Sequence, residues 1–247
     1  MTGVQGRRAH VMALVSAESS VAGDPQGTAG GLRRLCSAAV KALPMWGAGL
    51  SLMSEAGVRG VAAASDATSE RIDELQFALG EGPCMDAFTT RRPVLEPDLD
   101  SGGKTRWPVY SAAANGEGVR AAFAFPLQVG AARLGVLDLY RDVPGSLSAE
   151  ELAQALTFAD VATSMLLDGQ EEAPPGAAAS GLAEVLEYRF ELYQAQGMVM
   201  VQLGVTLVEA LAVLRAYAYS HDRDLADVAR DVVTRGLRLE RDRGDDA

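Results

Sequence analysis

The sequence predicts an α+β domain on a largely antiparallel sheet, followed by an all-α domain of three helices. Three observations carry this expectation. Short apolar runs meet in pairs across turn residues, as hairpin strands do, with helical stretches between them and at both ends. A break follows at Gln170-Glu-Glu-Ala-Pro-Pro-Gly-Ala-Ala-Ala-Ser-Gly181, where two prolines, two glycines and small residues stop any helix. Beyond it, from Leu182 to about Arg243, proline disappears and apolar residues recur at helical spacing. The expected segments are a helical piece over 1–26, the α+β domain over 27–168, a linker over 169–181 and the helical domain over 182–243.

Each element has a local reason. Thr28–Leu43 aligns Leu32, Leu35, Ala39, Val40 and Leu43 on one helical face, and Pro44 ends it. Ala48–Met53 and Val58–Ser65 read as strands about the turn Ser54-Glu-Ala-Gly57. Ser69–Phe77 reads as a short helix. Gly80-Glu-Gly-Pro-Cys-Met-Asp-Ala87 turns on its glycines and opens a helix with Pro83 in its first turn. Val94–Leu95 is a short extended piece, and Trp107–Ala114 a helix. Arg120–Val129 and Ala132–Tyr140 form the strongest strand pair, joined through Gly130. Ser148-Ala-Glu-Glu151 is a capping box that opens a helix running to about Asp168.

In the last segment one helix covers Gly181–Leu203. There Val185, Leu192 and Val199, and likewise Leu186, Tyr193 and Met200, recur every seven residues, the period of a paired helix. Gly204 ends it. Thr206-Leu-Val-Glu209 is a second capping box, opening a helix whose inner face is Leu207, Ala210, Leu211, Leu214 and Ala218. Asp224 caps a third helix, with Leu225, Val228, Ala229, Val232 and Val233 turned inward.

Composition removes several classes. The chain has 247 residues, 48% of them hydrophobic, which is enough to build a core. Its formal charge of −11 argues against wholesale electrostatic binding of nucleic acid or anionic membrane, while leaving room for a small basic face. No run approaches the roughly 18–20 apolar residues of a membrane span. The apolar stretch Val11–Val15, after Arg7, Arg8 and His10, is too short for a signal-peptide core. Two cysteines, Cys36 and Cys84, and two histidines, His10 and His221, exclude a disulfide scaffold and a Cys- or His-rich metal site. No phosphate loop, Ser-His-Asp order or HExxH motif is present. The expectation is a cytoplasmic protein that is not an enzyme and needs no cofactor or metal.

The order of elements over about residues 27–168 resembles the GAF fold of small-molecule sensor domains. The resemblance rests on Gly80–Ala87, on Arg92-Pro-Val94, and on the closing hairpin Phe125-Pro-Leu-Gln-Val-Gly-Ala-Ala-Arg-Leu-Gly-Val-Leu-Asp-Leu-Tyr140. The terminal 60 or so residues resemble an ANTAR domain, the RNA-binding module of bacterial antitermination regulators. Here the residues are Gln194-Ala-Gln-Gly-Met-Val-Met200, Gly204-Val-Thr-Leu207, Glu209, Ala210, Leu214, Arg215, Ala218, Arg223 and Leu225-Ala-Asp-Val-Ala229. A sensor GAF followed by ANTAR resembles a pairing found in actinobacterial regulators. Lys41 and Lys104 are the only lysines, against twenty arginines, as expected of a G- and C-rich genome. The resemblance implies a regulator that senses a small-molecule signal in the GAF pocket and binds an RNA stem-loop in a nascent transcript, and the heptad repeats predict a homodimer. The heptads place the dimer seam on Ser148–Asp168 and Leu182–Leu203, parallel or antiparallel.

The resemblance also names sites. Ala195, Gln196, Gly197, Arg215, Tyr217 and Arg223 are the expected RNA-contacting residues. Guanidinium groups suit phosphates and splayed bases, and tyrosine suits stacking. The family's usual Ala-Lys-Gly or Ala-Arg-Gly is here Ala195-Gln196-Gly197, which removes a cation, and eight arginines face twelve acids from residue 182 onward. That departure supports a second reading, a dimeric protein-interaction module that no longer binds RNA. Phe77, Cys84, Phe88, Trp107, Tyr110, Phe123 and Phe125 are the expected pocket residues, with ordinary core packing as their alternative. Cys84, near a helix start, supports a third reading, a GAF-type thiol redox enzyme; its alternative is a small buried hydrophobe. Cys36 lies on an inward helical spacing and reads as core.

Overall fold

The computed structural model describes residues 3–19, 27–53, 59–171, 180–223 and 225–239. The chain divides into two units, Met1–Val185 and Leu186–Ala247. In the first unit β1 (Gly47–Met53), β2 (Arg59–Ala64), β3 (Val94–Glu96), β4 (Ala121–Val129) and β5 (Ala132–Arg141) form one antiparallel sheet, ordered β2-β1-β5-β4-β3. The β4–β5 hairpin turns at Gly130, whose φ of +57 is the left-handed geometry such tight turns need. Pro126 is tolerated within β4 because β3 pairs only with Ala122–Ala124, so Pro126 lies beyond the end of that strand.

Alternation along each strand sorts the side chains onto two faces. One face carries Leu50, Leu52, Phe123, Phe125, Leu127, Leu137 and Leu139. It is covered by α1 (Val4–Ala17), α2 (Thr28–Ala42) and α7 (Ala149–Glu171). Val11 and Val15 of α1 belong to this cluster, so the N-terminal helix is part of the sheet's core. Ser148 and Glu151 form the expected capping box at the start of α7. The other face carries Met53, Ala122, Ala124, Val136 and Tyr140. It is covered by α3 (Ala67–Leu79), α4 (Pro83–Thr90) and α6 (Pro108–Gly116). A π-helical turn, Leu99–Gly103, and α5 (Lys104–Arg106) lead into α6. Trp107, expected inside a helix, lies just before α6 at φ −137, because the residue ahead of a proline is kept out of the helical region.

The second unit has three helices, α8 (Ser180–Leu203), α9 (Leu207–Ser220) and α10 (Leu225–Val233). Gly204 ends α8 with φ +62. Thr206 and Glu209 close the expected capping box on α9. Leu192, Ala195, Val199, Leu203, Ala210, Leu214, Ala218, Leu225, Val228, Ala229 and Val232 form the core. Leu192 and Val199, one of the heptad rows, therefore face their own core, while Met200 (37%) and Val201 (77%) stand exposed. The side chains of Val185, Leu186, Tyr193 and Leu207 are not among those described, and the Ser54–Gly57 turn and the Asp224 cap lie outside the described residues.

Gly135 on β5 pairs with Leu52, and a Cβ there would collide with the Ser51 carbonyl oxygen. That obstacle is backbone and cannot rotate away. Gly135→Ala is expected to lower the unfolding free energy by about 2–3 kcal/mol, read from the urea midpoint. An unchanged midpoint would show that β1 and β5 are not held this closely.

Candidate functional site

On the α3–α4–α6 face of the sheet, two carboxylates are fully enclosed. Asp138 lies on β5 directly opposite Gly49 of β1. Asp73 comes from α3 and rests on the same Gly49, where any Cβ would collide with its Oδ2. The absent side chain thus admits one carboxylate beside the other. The Tyr140 hydroxyl donates to Asp73 Oδ1. Gln76 Nε2 donates to the Tyr140 oxygen at 3.1 Å, and Gln76 Oε1 accepts from the Cys84 amide at 2.8 Å. The Tyr110 hydroxyl enters the same enclosure from α6, within reach of both carboxylate charges.

The glycine-rich segment builds this enclosure. Gly80 (φ +73) ends α3, and Gly82 (φ +139) leaves the space that the Gln76 side chain fills. Glu81 Oε1 accepts from the Val109 and Tyr110 amides, each at 2.8 Å, and so caps the α6 N-terminus that presents Tyr110. Asp86 Oδ2 accepts from Trp107 Nε1 at 3.2 Å and from Arg106 at 2.9 Å. Gly80–Ala87 is therefore a clamp that fixes α4 and α6 over the two carboxylates.

Electrostatics follow from enclosure. Burial raises Asp73 well above the ordinary carboxylate range, and the Asp138 charge adds to that, with the Tyr140 donor working against both. Burial pushes Asp138 up to about 7, against hydrogen bonds from Cys84 and Gln76 that draw it down. Tyr110 and Tyr140 are both raised, first by burial and then by the two carboxylates.

The expected pocket residues divide between the faces. Phe77, Cys84, Phe88, Trp107 and Tyr110 share the face of the carboxylate pair. Phe123 and Phe125 do not: they occupy alternate positions on β4 with Leu127, which turns them to the α1–α2–α7 side. Cys84 is buried, with its Sγ 3.8 Å from Met53 Sδ. Cys36 lies in the cluster on the opposite face, so the two thiols are separated by the sheet. Asp73, Gln76, Asp138 and Tyr140 are absent from the expected pocket. A charged residue between Leu137 and Leu139, in the most apolar hairpin of the chain, is the signal that marks Asp138. Among the described residues no group of three or more His, Cys, Asp or Glu is placed to hold a metal ion, and no helix is long and apolar enough to cross a membrane.

The expected RNA-contacting residues also separate. Ala195 is buried in the three-helix core, and Gln196 is 6% exposed, so within this unit neither is presented outward. Gly197 is half-buried, with open space where a Cβ would stand. Arg215 is half-buried on α9. Tyr217 stacks on His221 with ring centroids 3.9 Å apart and planes at 16°. Arg223 pairs with Asp231 at 2.6 Å, and its charge also feels Tyr217. Tyr217, His221 and Arg223 thus gather at one end of α9. Arg230 pairs with Glu191 at 3.4 Å and Asp227 at 3.2 Å.

Residues 31–167 match the family model of the GAF domain, and residues 181–233 that of the ANTAR domain. Two solved structures are alike in fold. The GAF domain of an Acinetobacter phosphoenolpyruvate-protein phosphotransferase is 11% identical, with 69% of this chain and 98% of that one covered at a TM-score of 0.51. The GAF domain of the corresponding protein from Coxiella burnetii is 15% identical, with 68% and 95% covered at a TM-score of 0.51. No curated protein matches the chain.

The raised Asp138 carboxyl has a consequence for stability. The folded chain keeps a proton that the unfolded chain, with an aspartate pKa of about 3.9, releases. The associated stability is complete below about pH 4 and is lost as pH rises through about 7. The slope is about 1.4 kcal/mol per pH unit for each retained proton. Asp138→Asn is expected to flatten this decline, leaving the variant near the parent at about pH 4 and more stable above about pH 7. Urea denaturation across that range is the check, and parallel parent and variant curves would refute the assignment.

Proposed function

The chain belongs to the GAF domain family, and from that premise we propose that it is a signal-responsive RNA-binding regulator of transcription antitermination. The observation that carries this reading is the order of the two domain matches, GAF over residues 31–167 and then ANTAR over residues 181–233. In this proposal the chain acts in the cytoplasm as a homodimer. Residues 27–168 sense a small molecule, 169–181 link, and 182–243 bind a stem-loop in a nascent transcript, favouring an antiterminator over a terminator. Residues 1–26 extend the sensor.

The roles follow from exposure and chemistry. Arg215 and Arg223 approach phosphates, the Tyr217–His221 stack offers an aromatic platform, and the open side of Gly197 admits close backbone approach. Ala195 and Gln196 hold α8 from within. Specific observations also favour the second reading, a protein-interaction module. Arg223 and Arg230 are already paired with acids, and Gln196 stands inside where the family has a cation.

Gel-shift binding to leader transcripts of the host separates the two. The parent is expected to bind a hairpin with affinity that falls steeply with salt. Arg215→Ala is expected to weaken binding across sequences and reduce the salt slope by about one phosphate. Tyr217→Ala is expected to weaken binding about tenfold through lost stacking. Gly197→Ala is expected to stabilise α8 by about 0.5–1 kcal/mol while lowering RNA affinity. A folded parent that binds no leader hairpin at low salt would transfer the assignment to the protein-interaction reading.

A further inference from the structure

The enclosed carboxylates lack the partner their chemistry demands. Tyr140 serves Asp73 Oδ1, Cys84 and Gln76 act on Asp138, and Tyr140 acts on Tyr110, yet Asp73 Oδ2, Asp138 Oδ2, the Tyr110 hydroxyl and the Ser51 hydroxyl are buried atoms without a well-formed hydrogen bond. Ser51 stands on the same face of β1 as Gly49, two residues further along. Ionised carboxylate oxygens only accept, so the missing partner is a donor. A cationic donor suits the pair best, because two adjacent carboxylates carry an excess of negative charge once they ionise. Glu70 and Glu74 on α3 add to the negative field around Asp73. Cys84 on α4, Tyr110 on α6 and Tyr140 on β5 supply no positive charge. The one buried cation among the described residues, Arg141, serves the opposite face, where it pairs with Glu151 at 3.0 Å and lies over the Phe123 ring. A metal ion is a poor fit, because no third metal-ligating side chain joins the two carboxylates among the described residues.

We propose that the enclosure formed by Asp73, Asp138 and Tyr110 binds a small organic primary ammonium ion. Three N–H donors match the unpartnered oxygens of Asp73, Asp138 and Tyr110. The surrounding Met53, Ile72 and Phe77 suit an apolar stem behind the charged head. The ammonium ion replaces the proton that the pair otherwise retains, so binding strengthens as pH rises and the pair ionises. This assignment rests on the reading of the first unit as a sensor and gives its signal a chemical class.

The test uses the full chain, with methylammonium and n-butylammonium as probes and tetramethylammonium as a cation without N–H donors. Calorimetric titration and thermal melting are run at about pH 8 and about pH 5.5 at constant ionic strength. Expected is saturable binding of the primary ammonium ions and a raised melting temperature at the higher pH. Binding is expected to weaken at least about tenfold at the lower pH and in Asp138→Asn. Tyr110→Phe, which keeps both carboxylates, is expected to weaken it several-fold. No saturable binding, equal binding of tetramethylammonium, or unchanged binding in Asp138→Asn would overturn the site and leave the pair as a proton-holding group. RNA affinity measured with and without methylammonium separates the two layers. Binding of the ion with RNA affinity unchanged would support the site and overturn the sensing reading. Absence of ion binding with RNA binding intact would overturn the site alone.

Discussion

Two carboxylates enclosed against a single glycine are the constraint around which the first unit is arranged. Burying a carboxylate without a compensating cation is expensive, and an apolar pair of similar volume is often at least as stable. The surrounding parts are nevertheless fitted to this pair. Gly49 makes room for Asp73. Tyr140 donates to Asp73, Gln76 donates to Tyr140 and accepts from Cys84, and Gly82 yields space to Gln76. This chain of contacts ties α3 and α4 to β5, and Glu81 extends it to the N-terminus of α6. The arrangement holds a buried polar cluster in a place where ordinary packing would be simpler. That cost in stability is the usual mark of a site rather than of a core.

The second unit poses an electrostatic problem of the opposite kind. Nucleic-acid recognition draws much of its affinity from phosphate neutralisation. Yet Arg223 is held by Asp231, and Arg230 by Glu191 and Asp227. These pairs lie at or near the surface, where such contacts are worth about 0–1 kcal/mol. A phosphate can therefore exchange for the aspartate at little expense, but the net gain is smaller than for an unpaired arginine. Stacking on the Tyr217–His221 platform does not depend on net charge. An acidic domain that reads RNA in this way would lean on aromatic contact and shape more than on charge.

Much of this organisation was legible in the sequence, because it is written in local chemistry. The two capping boxes, the proline at the start of α4 and the glycine turn of the β4–β5 hairpin each act within a few residues. The grouping of Phe123 and Phe125 with the other pocket aromatics is a misreading, because strand alternation turns them to the opposite face of the sheet. The carboxylate chamber was not legible. It joins residue 73 to residues 138 and 140 across a sheet register that no local pattern reveals, and Gly49 has meaning only opposite Asp138. The same limit applies to α8. Its heptad rows read as a seam between chains, but Leu192 and Val199 are taken up by α9 and α10, because a short helical hairpin folding back beside a helix offers it the same apolar surface as a partner would.

Asp138 of the carboxylate pair sits on the strand that also anchors α7, the last helix lying wholly within the first unit. Asp138 and Tyr140 face the chamber, and the next residue, Arg141, turns to the other side. There it bonds the Pro44 carbonyl at 3.0 Å and Glu151 at 3.0 Å. Glu151 in turn accepts from the Ser148 amide at 2.6 Å and closes the α7 capping box, and these contacts hold its carboxyl below the ordinary range, Ser148 first. Regulation requires an element with two arrangements that a ligand favours unequally. The end of β5 is where the two faces of the sheet are joined through adjacent residues, Tyr140 and Arg141. One peptide bond separates Tyr140, which donates to Asp73, from Arg141, which pairs with the carboxylate that caps α7. Under the proposed ammonium site, the Arg141–Glu151 pair, on the far side of the sheet, is therefore the contact that would link occupancy to α7.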